Sequence, residues 1–279
     1  MRQLRPKNRR KCIQESSIDS LTGRVRGVCR APTSPEGLNR MHAIRYRLSR
    51  HVYLSVAARY CVFLDALRDR YLAVNREEFA ALGPWLEGWI GLRGDNDSYA
   101  SPCTRSEGLA ADLCRQGILT TAECGGKPVV AQTIIPATKS ATADRGRLRA
   151  SEWLRHSIQF VSATARTRRQ FKTQSFETIM RELSSRRERA GDALDVDIQY
   201  ERQLVLIFDV CRVYYSRPFV CLFDSVCLFN FVSRYGFYPA LVFGVIAEPF
   251  RAHCWLQEGD TVLNDSVERV LAYTPILCI

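Results

Sequence analysis

Apolar residues in this chain change their spacing twice, and each change restricts what the segment can fold into. From His51 they come in short strand-like runs, His51–Ala57, Tyr60–Leu67 and Tyr71–Asn75, with a tight turn at Arg68-Asp69-Arg70. Helical segments are predicted next at Arg76–Leu82, Trp85–Ile90 and Glu107–Gln116, the last ended by Gly117. Further on the period becomes helical throughout: Trp153, Leu154, Ile158 and Val161; Phe176, Ile179, Met180 and Leu183; Leu204, Ile207, Phe208 and Cys211. Beyond Gly236 the strand pattern returns at Ala240–Ile246 and Ala252–Gln257, followed by a Gly259-Asp260 hairpin and a returning strand over Thr261–Asn264. Strands and helices segregated in this way predict an α+β protein.

The composition shifts predict the boundaries. Residues 1–40 are rich in Arg, Lys, Ser, Pro and Gly without periodicity, and read as a disordered basic segment. Patterned sequence starts just after Met41, so Met1 and Met41 both fit as a functional start. Residues 41–120 form a first domain, with Gly91–Ser106 as a loop inside it. Residues 121–149, rich in Gly, Thr, Ala, Pro and Lys, read as a linker that holds one short strand at 129–135. Residues 150–279 form the second domain.

A net charge of +11 would suggest nucleic acid if it covered one folded face. The excess lies instead in 1–40 and 141–190, while 41–140 is nearly balanced and 191–279 is net acidic, so no nucleic-acid partner is expected. Eleven cysteines without a C-x-x-C pair, and four histidines, fit neither a disulfide framework nor a zinc ribbon. Reduced thiols, no apolar run long enough to span a bilayer and no signal-peptide core predict a cytoplasmic protein with no membrane partner.

Chemistry concentrates between Cys221 and Asp265. Ser216 and Pro218 are helix-start signals, and the apolar stripe after them places Cys221 in a first turn, where the helix dipole favours a thiolate. A cysteine in an apolar helix can equally be a core residue. His253 begins the second C-terminal strand, and the hairpin brings Asp265 back to its level, where it can hold Nδ1–H of the imidazole. Cys254 is less suited to pair with His253, because neighbouring strand residues face opposite ways. Thiol, imidazole and carboxylate give a nucleophile, a base and the group that orients the base.

Cys221-Leu-Phe-Asp-Ser225, the strand ending in Phe243-Gly-Val245, Pro249-Phe-Arg-Ala-His-Cys-Trp255 and Val262-Leu-Asn-Asp265 together resemble the transglutaminase-like leader peptidases of lasso-peptide biosynthesis. The departures are small: Val226 stands where Leu is usual, and Cys254 where Ala is usual. The resemblance implies a papain-type peptidase domain with Cys221, His253 and Asp265 as its catalytic groups and with no metal or organic cofactor. Phe63-Leu-Asp65, Arg70-Tyr-Leu-Ala-Val-Asn75 and Leu113-Cys-Arg-Gln-Gly-Ile-Leu-Thr120 resemble the winged-helix peptide-recognition domain of ribosomal-peptide maturation. Such domains bind peptide by strand addition, which makes Tyr71, Leu72, Val74, Leu109 and Leu113 candidates for a leader-binding groove, although each also fits a core position.

The implied function is removal of the leader from a lasso-peptide precursor, with the core passed to an ATP-dependent macrolactam cyclase. The alternatives are an acyltransferase or transglutaminase using the same residues, a non-catalytic peptide-delivery adaptor, and a winged-helix DNA-binding regulator, which the balanced charge of 41–140 disfavours.

Overall fold

A computed structural model describes residues 19–20, 45–89, 104–121, 125–141, 150–191, 198–215 and 220–279. Its N-terminal half is built on an antiparallel meander of β3 (Val52–Val56), β4 (Tyr60–Asp65) and β5 (Arg70–Asn75). A fourth strand, β1 (Asp19–Ser20), runs parallel to β5, giving the order β1-β5-β4-β3. The turn between β4 and β5 is fixed by the carboxylate of Asp65, which accepts from the Arg68 main chain at 3.1 Å and from the Arg68 and Arg70 side chains at 2.9 and 3.3 Å. Asp65 is buried, and these partners hold its carboxyl below its ordinary range although burial alone would raise it.

The register shows why these strands read as near-continuous apolar runs. Leu54, Phe63 and Leu72 lie side by side on one face, and Tyr53, Leu64 and Tyr71 on the other. The first face packs under α1 (Arg76–Ala80) and α2 (Thr104–Arg115), with Phe79, Leu82, Trp85 and Leu113 in the same core. The second face, through Val62, Leu64, Tyr71 and Ala73, belongs to the core of the C-terminal half. A two-stranded ribbon, β2 (Tyr46–Leu48) with β6 (Leu119–Thr121), closes the first core.

Residues 125–141, expected to be a linker, are built into both halves. Leu48 and Lys127 exchange main-chain hydrogen bonds at 2.9 and 2.8 Å, and Val129 is fully buried in the N-terminal core. Farther along, β7 (Lys139–Ser140) pairs in parallel with β10 (Thr261–Val262) at the rim of the C-terminal sheet. The strand expected at 129–135 does not form, although the N–H groups of Val129 and Gln132 donate to the Glu87 and Leu54 carbonyls at 2.7 and 3.2 Å. Small polar residues here mark a chain that follows a surface closely, which composition alone does not separate from a free tether. Of the segment expected to be disordered, residues 19–20 form β1, and the rest lies outside the described residues, as do most of the Gly91–Ser106 loop and the Ser216 and Pro218 signals.

The C-terminal half is a helical layer on a five-stranded sheet of order β11-β8-β9-β10-β7. Its helices are α3 (Ala150–Thr173), α4 (Phe176–Ala190), α5 (Ile198–Val213) and α6 (Cys221–Val232). The strands β8 (Ala240–Ile246) and β9 (Arg251–Glu258) pair antiparallel, a short α7 (Val267–Val270) follows β10, and β11 (Thr274–Cys278) closes on β8. Helix α6 is apolar all round because it is the centre of this half, with Val226, Leu228, Phe231 and Val232 fully buried.

Asn230 is one of the polar residues buried in that centre. Asn230 donates to Thr167 Oγ1 at 3.0 Å and Gln170 Oε1 at 2.8 Å, and accepts from Arg186 at 2.7 Å, tying α6 to α3 and α4. Asn230→Ala is expected to cost about 2 kcal/mol, because it strands buried partners on two helices. Denaturant unfolding measures this; a cost within error of zero would mean that water replaces the amide.

Candidate active site

Helix α6 begins at Cys221, after Val220 in extended conformation. Its start is fixed from inside the helix, since Asp224 accepts from the Val220 N–H at 2.8 Å and from Arg212 Nε at 2.6 Å. Arg212 is buried, so its charge offsets that of Asp224 and keeps the helix N-terminus from becoming a negative site. The resulting position leaves Cys221 half-buried beside β9.

Strand β10 pairs with β9 only at Gln257 and Glu258, so the edge of β9 is not laddered to β10 at His253 and Cys254. Their side chains diverge as alternation requires: Cys254 enters the core shared with α6, while His253 lies near Trp255 and Tyr273, with ring centroids 6.0 and 5.3 Å away. Cys221, at the start of α6, interacts with both residues. Strand alternation thus separates the two β9 side chains without removing Cys254 from Cys221. Opposite His253 in the register is Gly244, where a Cβ would come within 2.7 Å of Tyr273 and 3.0 Å of Trp255. Only glycine lets those two rings close around the imidazole.

The imidazole meets Asp265 through Nε2, closely hydrogen-bonded to Oδ2, rather than through Nδ1 as expected. Nδ1 is therefore the nitrogen left for the thiol. Asp265 follows β10 in the chain. Asp265 is held in turn by the Ser266 N–H on Oδ1 at 2.8 Å, and its carbonyl accepts from Ser140 Oγ at 2.8 Å. Arg269 stands 3.9 Å away but is largely exposed, so its contribution is small.

These contacts set the charges. Cys254 and His253 draw the Cys221 thiol down to about 4, against burial that pushes it up. Burial disfavours a charged His253, yet Asp265 and Cys221 outweigh it and raise its pKa above the ordinary value. Asp265 lies below its usual range because the hydrogen bonds from His253 and Ser266 exceed the effect of burial. These directions favour a thiolate beside an imidazolium beside a carboxylate, the charge state that a cysteine nucleophile requires. Burial instead raises the other nearby thiols, Cys227 to about 11 and Cys254 well above its ordinary value.

A second set of contacts joins the pieces. Asn264, next to Asp265, donates to Ser225 Oγ at 2.8 Å and accepts the Leu256 N–H at 2.8 Å, while Ser225 donates to the Cys254 carbonyl at 3.4 Å. Ser225 lies one helical turn after Cys221, so this link fixes thiol, strand and carboxylate to one another. Sequence reasoning quoted Ser225 and Asn264 as motif positions without giving them a role and missed the contact of Cys254 with the thiol; the i, i+4 spacing of Cys221 and Ser225 was the available signal.

The residues expected to line a leader groove are placed differently from one another. Tyr71, Leu72, Val74 and Leu113 are buried, and only Leu109 is half-exposed. Leu72, Val74 and Leu113 fill the N-terminal core, so their side chains line no open groove. Tyr71 faces the other way, its ring centroid 5.2 Å from that of Phe250, in the core that contains Cys254. Both faces of β5 are covered, which sequence could not distinguish from a strand with one open face.

A cavity of about 570 Å³ lies apart from these groups, lined among others by Arg187, Glu201, Tyr238 and Glu258, and contains none of the three. Among the described residues no cluster of His, Cys, Asp and Glu is placed to hold a metal ion, and no helix is long and apolar enough to cross a membrane.

No curated protein and no solved structure matches the chain. Residues 159–278, which carry Cys221, His253 and Asp265, match the family model of the transglutaminase-like superfamily.

Proposed function

We propose that the chain is a cysteine peptidase that removes the leader from a lasso-peptide precursor, with Cys221 as nucleophile, His253 as acid and base, and Asp265 as the group that orients His253. The observation that carries this reading is the thiol drawn down to about 4 at the start of α6, beside an imidazole held by Asp265. The Cys221 thiolate attacks the scissile carbonyl, and the main-chain N–H of Cys221 at the helix start donates to the developing oxyanion. Collapse of the tetrahedral intermediate breaks the C–N bond, His253 gives its proton to the leaving core amine, and the leader remains as a thioester. Water then attacks the thioester, His253 takes its proton, and the leader leaves as a carboxylic acid while the thiolate is regenerated. The chemistry calls for no cofactor.

In this reading the sheet of β3, β4 and β5 is the winged-helix recognition module, and the leader adds as a strand to β5 through main-chain hydrogen bonds, since the side chains of β5 are already buried. The core peptide passes to an ATP-dependent macrolactam cyclase. Mass spectrometry of a precursor incubated with the full chain tests the proposal. Leader and core appearing with the mass of one water added across the bond support it. An intact precursor, or a leader joined to an added amine without gain of water, would remove hydrolysis and, in the second case, favour acyl transfer.

A further inference from the structure

The cavity of about 570 Å³ that excludes Cys221, His253 and Asp265 has a chemistry of its own. Residues from α4, the first turn of α5, the end of β9 and β11 line it, among them Arg187, Glu188, Glu201, Phe237, Tyr238 and Glu258. Glu258 is the last residue of β9, about 16 Å along the strand from His253, so this site lies well away from the imidazole. Glu201 is only 3% exposed, lines the cavity, and has no hydrogen bond or ion pair to its carboxylate among the described residues. The charge acting on it most strongly is another carboxylate, Glu258, which is half-buried and also lacks a hydrogen-bonded partner among the described residues. Burial and Glu258 push the Glu201 carboxyl up to about 7 against the weaker pull of Arg202, and burial raises Glu258 against the pull of Arg187. Arg187 does not fill the gap, because its Nε donates to the Tyr238 carbonyl at 3.1 Å. Two facing carboxylates without donors are costly unless a positive group enters between them.

We infer that this cavity is a binding site for an organic cation, an ammonium or guanidinium group on an apolar stem, with Glu201 and Glu258 as its two anionic partners. The site goes beyond the peptidase reading and shares no residue with it. Among the described residues the pair has no third ligand that a metal ion would need, which favours a cation that brings its own N–H donors. Such a head group donates to both carboxylates and cancels their repulsion. Phe237 and Tyr238 supply the apolar wall for the stem, and a cavity of this volume is in the range that takes a small molecule or one long side chain. A free amine and a basic side chain of a peptide present the same chemistry to it.

The test is isothermal titration calorimetry on the full chain and its Glu201→Gln and Glu258→Gln variants at pH 8, above the raised value of Glu201. The probes are butylammonium, butylguanidinium and Nα-acetyl-lysine methylamide, with butylurea as the neutral control. At least one cation is expected to bind saturably at a single site, at least about tenfold more tightly than butylurea, and each variant to weaken it at least about tenfold. Tighter binding of the capped lysine than of butylammonium identifies a peptide side chain as the source, and the reverse a free amine; either order supports the site. No saturable heat with any cation, binding of butylurea as tight as that of the cations, or affinities unchanged in both variants would overturn the proposal. Should the variants unfold, the contrast between the cations and butylurea in the unaltered chain decides. None of these readouts involves turnover, so a chain that cleaves nothing would remove the peptidase reading and leave this result to stand or fall alone.

Discussion

Iodoacetamide is expected to alkylate Cys221 in the native protein at about pH 6, where an ordinary thiol is almost wholly protonated. The rate should follow a titration with its midpoint near 4, the value to which Cys254 and His253 draw this thiol. His253→Ala and Cys254→Ala each remove one partner and should move the midpoint upward, and the double variant furthest. If the thiol returned to its ordinary value of about 8.5, the thiolate fraction at pH 6 would fall about 300-fold, and the rate with it. Peptide mapping assigns the label to its residue. A wild-type midpoint near that of free cysteine would show that the pair is neutral. The signs for stability follow from the same contacts. The contribution of Cys221, complete above the ordinary thiol value, shrinks as pH falls and is gone below about 4. That of His253, complete below the ordinary imidazole value, shrinks as pH rises and is lost through its raised value.

Cys221→Ala and His253→Ala are each expected to lower peptide hydrolysis by at least about 10⁴-fold, since either removes a group that the covalent route cannot do without. Asp265→Ala should be less severe by one to two orders of magnitude, because it orients a base that still reaches the thiol. The losses should not add, and any double variant should resemble Cys221→Ala. Cys227→Ala serves as the control: it is buried, has a pKa raised to about 11 and contacts Thr164 Oγ1 at 3.4 Å, so it should cost about 1 kcal/mol of stability and leave the rate unchanged. A Cys221→Ala protein that still cleaves at near the original rate would take the nucleophile away from α6.

The strands at Val52–Val56, Tyr60–Asp65 and Ala240–Ile246, and the helices over Phe176–Ala190 and Ile198–Val213, were legible because long periodic stretches carry their own register; in α3 the helix was legible but its buried face was not, since Leu154, Ile158 and Val161 are exposed while Phe160, Ala163 and Thr167 are buried. What stayed hidden depended on partners far apart in sequence. Tyr71 and Leu72 look alike as strand residues, and only the docking of the second half sends one into each core. Lys139 and Ser140 carry no strand signal and become a strand because β10 offers them an edge. The pairing of Asp265 with Nε2 rather than Nδ1 of His253 is a matter of loop path that no spacing encodes. The contact between Cys254 and Cys221 escaped notice for a related reason: alternation describes side chains on a strand, and says nothing about a helix residue packed beside them.

The sheet formed by β3, β4 and β5 is gripped from both sides, and this fixes more than stability. Because Tyr71 is wedged against Phe250 while Leu72 is locked among Phe63 and Leu82, β5 cannot slide or turn relative to the thiol at Cys221. A peptide seated on β5 would then be measured rather than merely held, with the scissile bond set by a constant count of residues from the paired segment. Lengthening a substrate between those two points by one residue should move the cut by one residue, as on a ruler whose zero mark is Leu72.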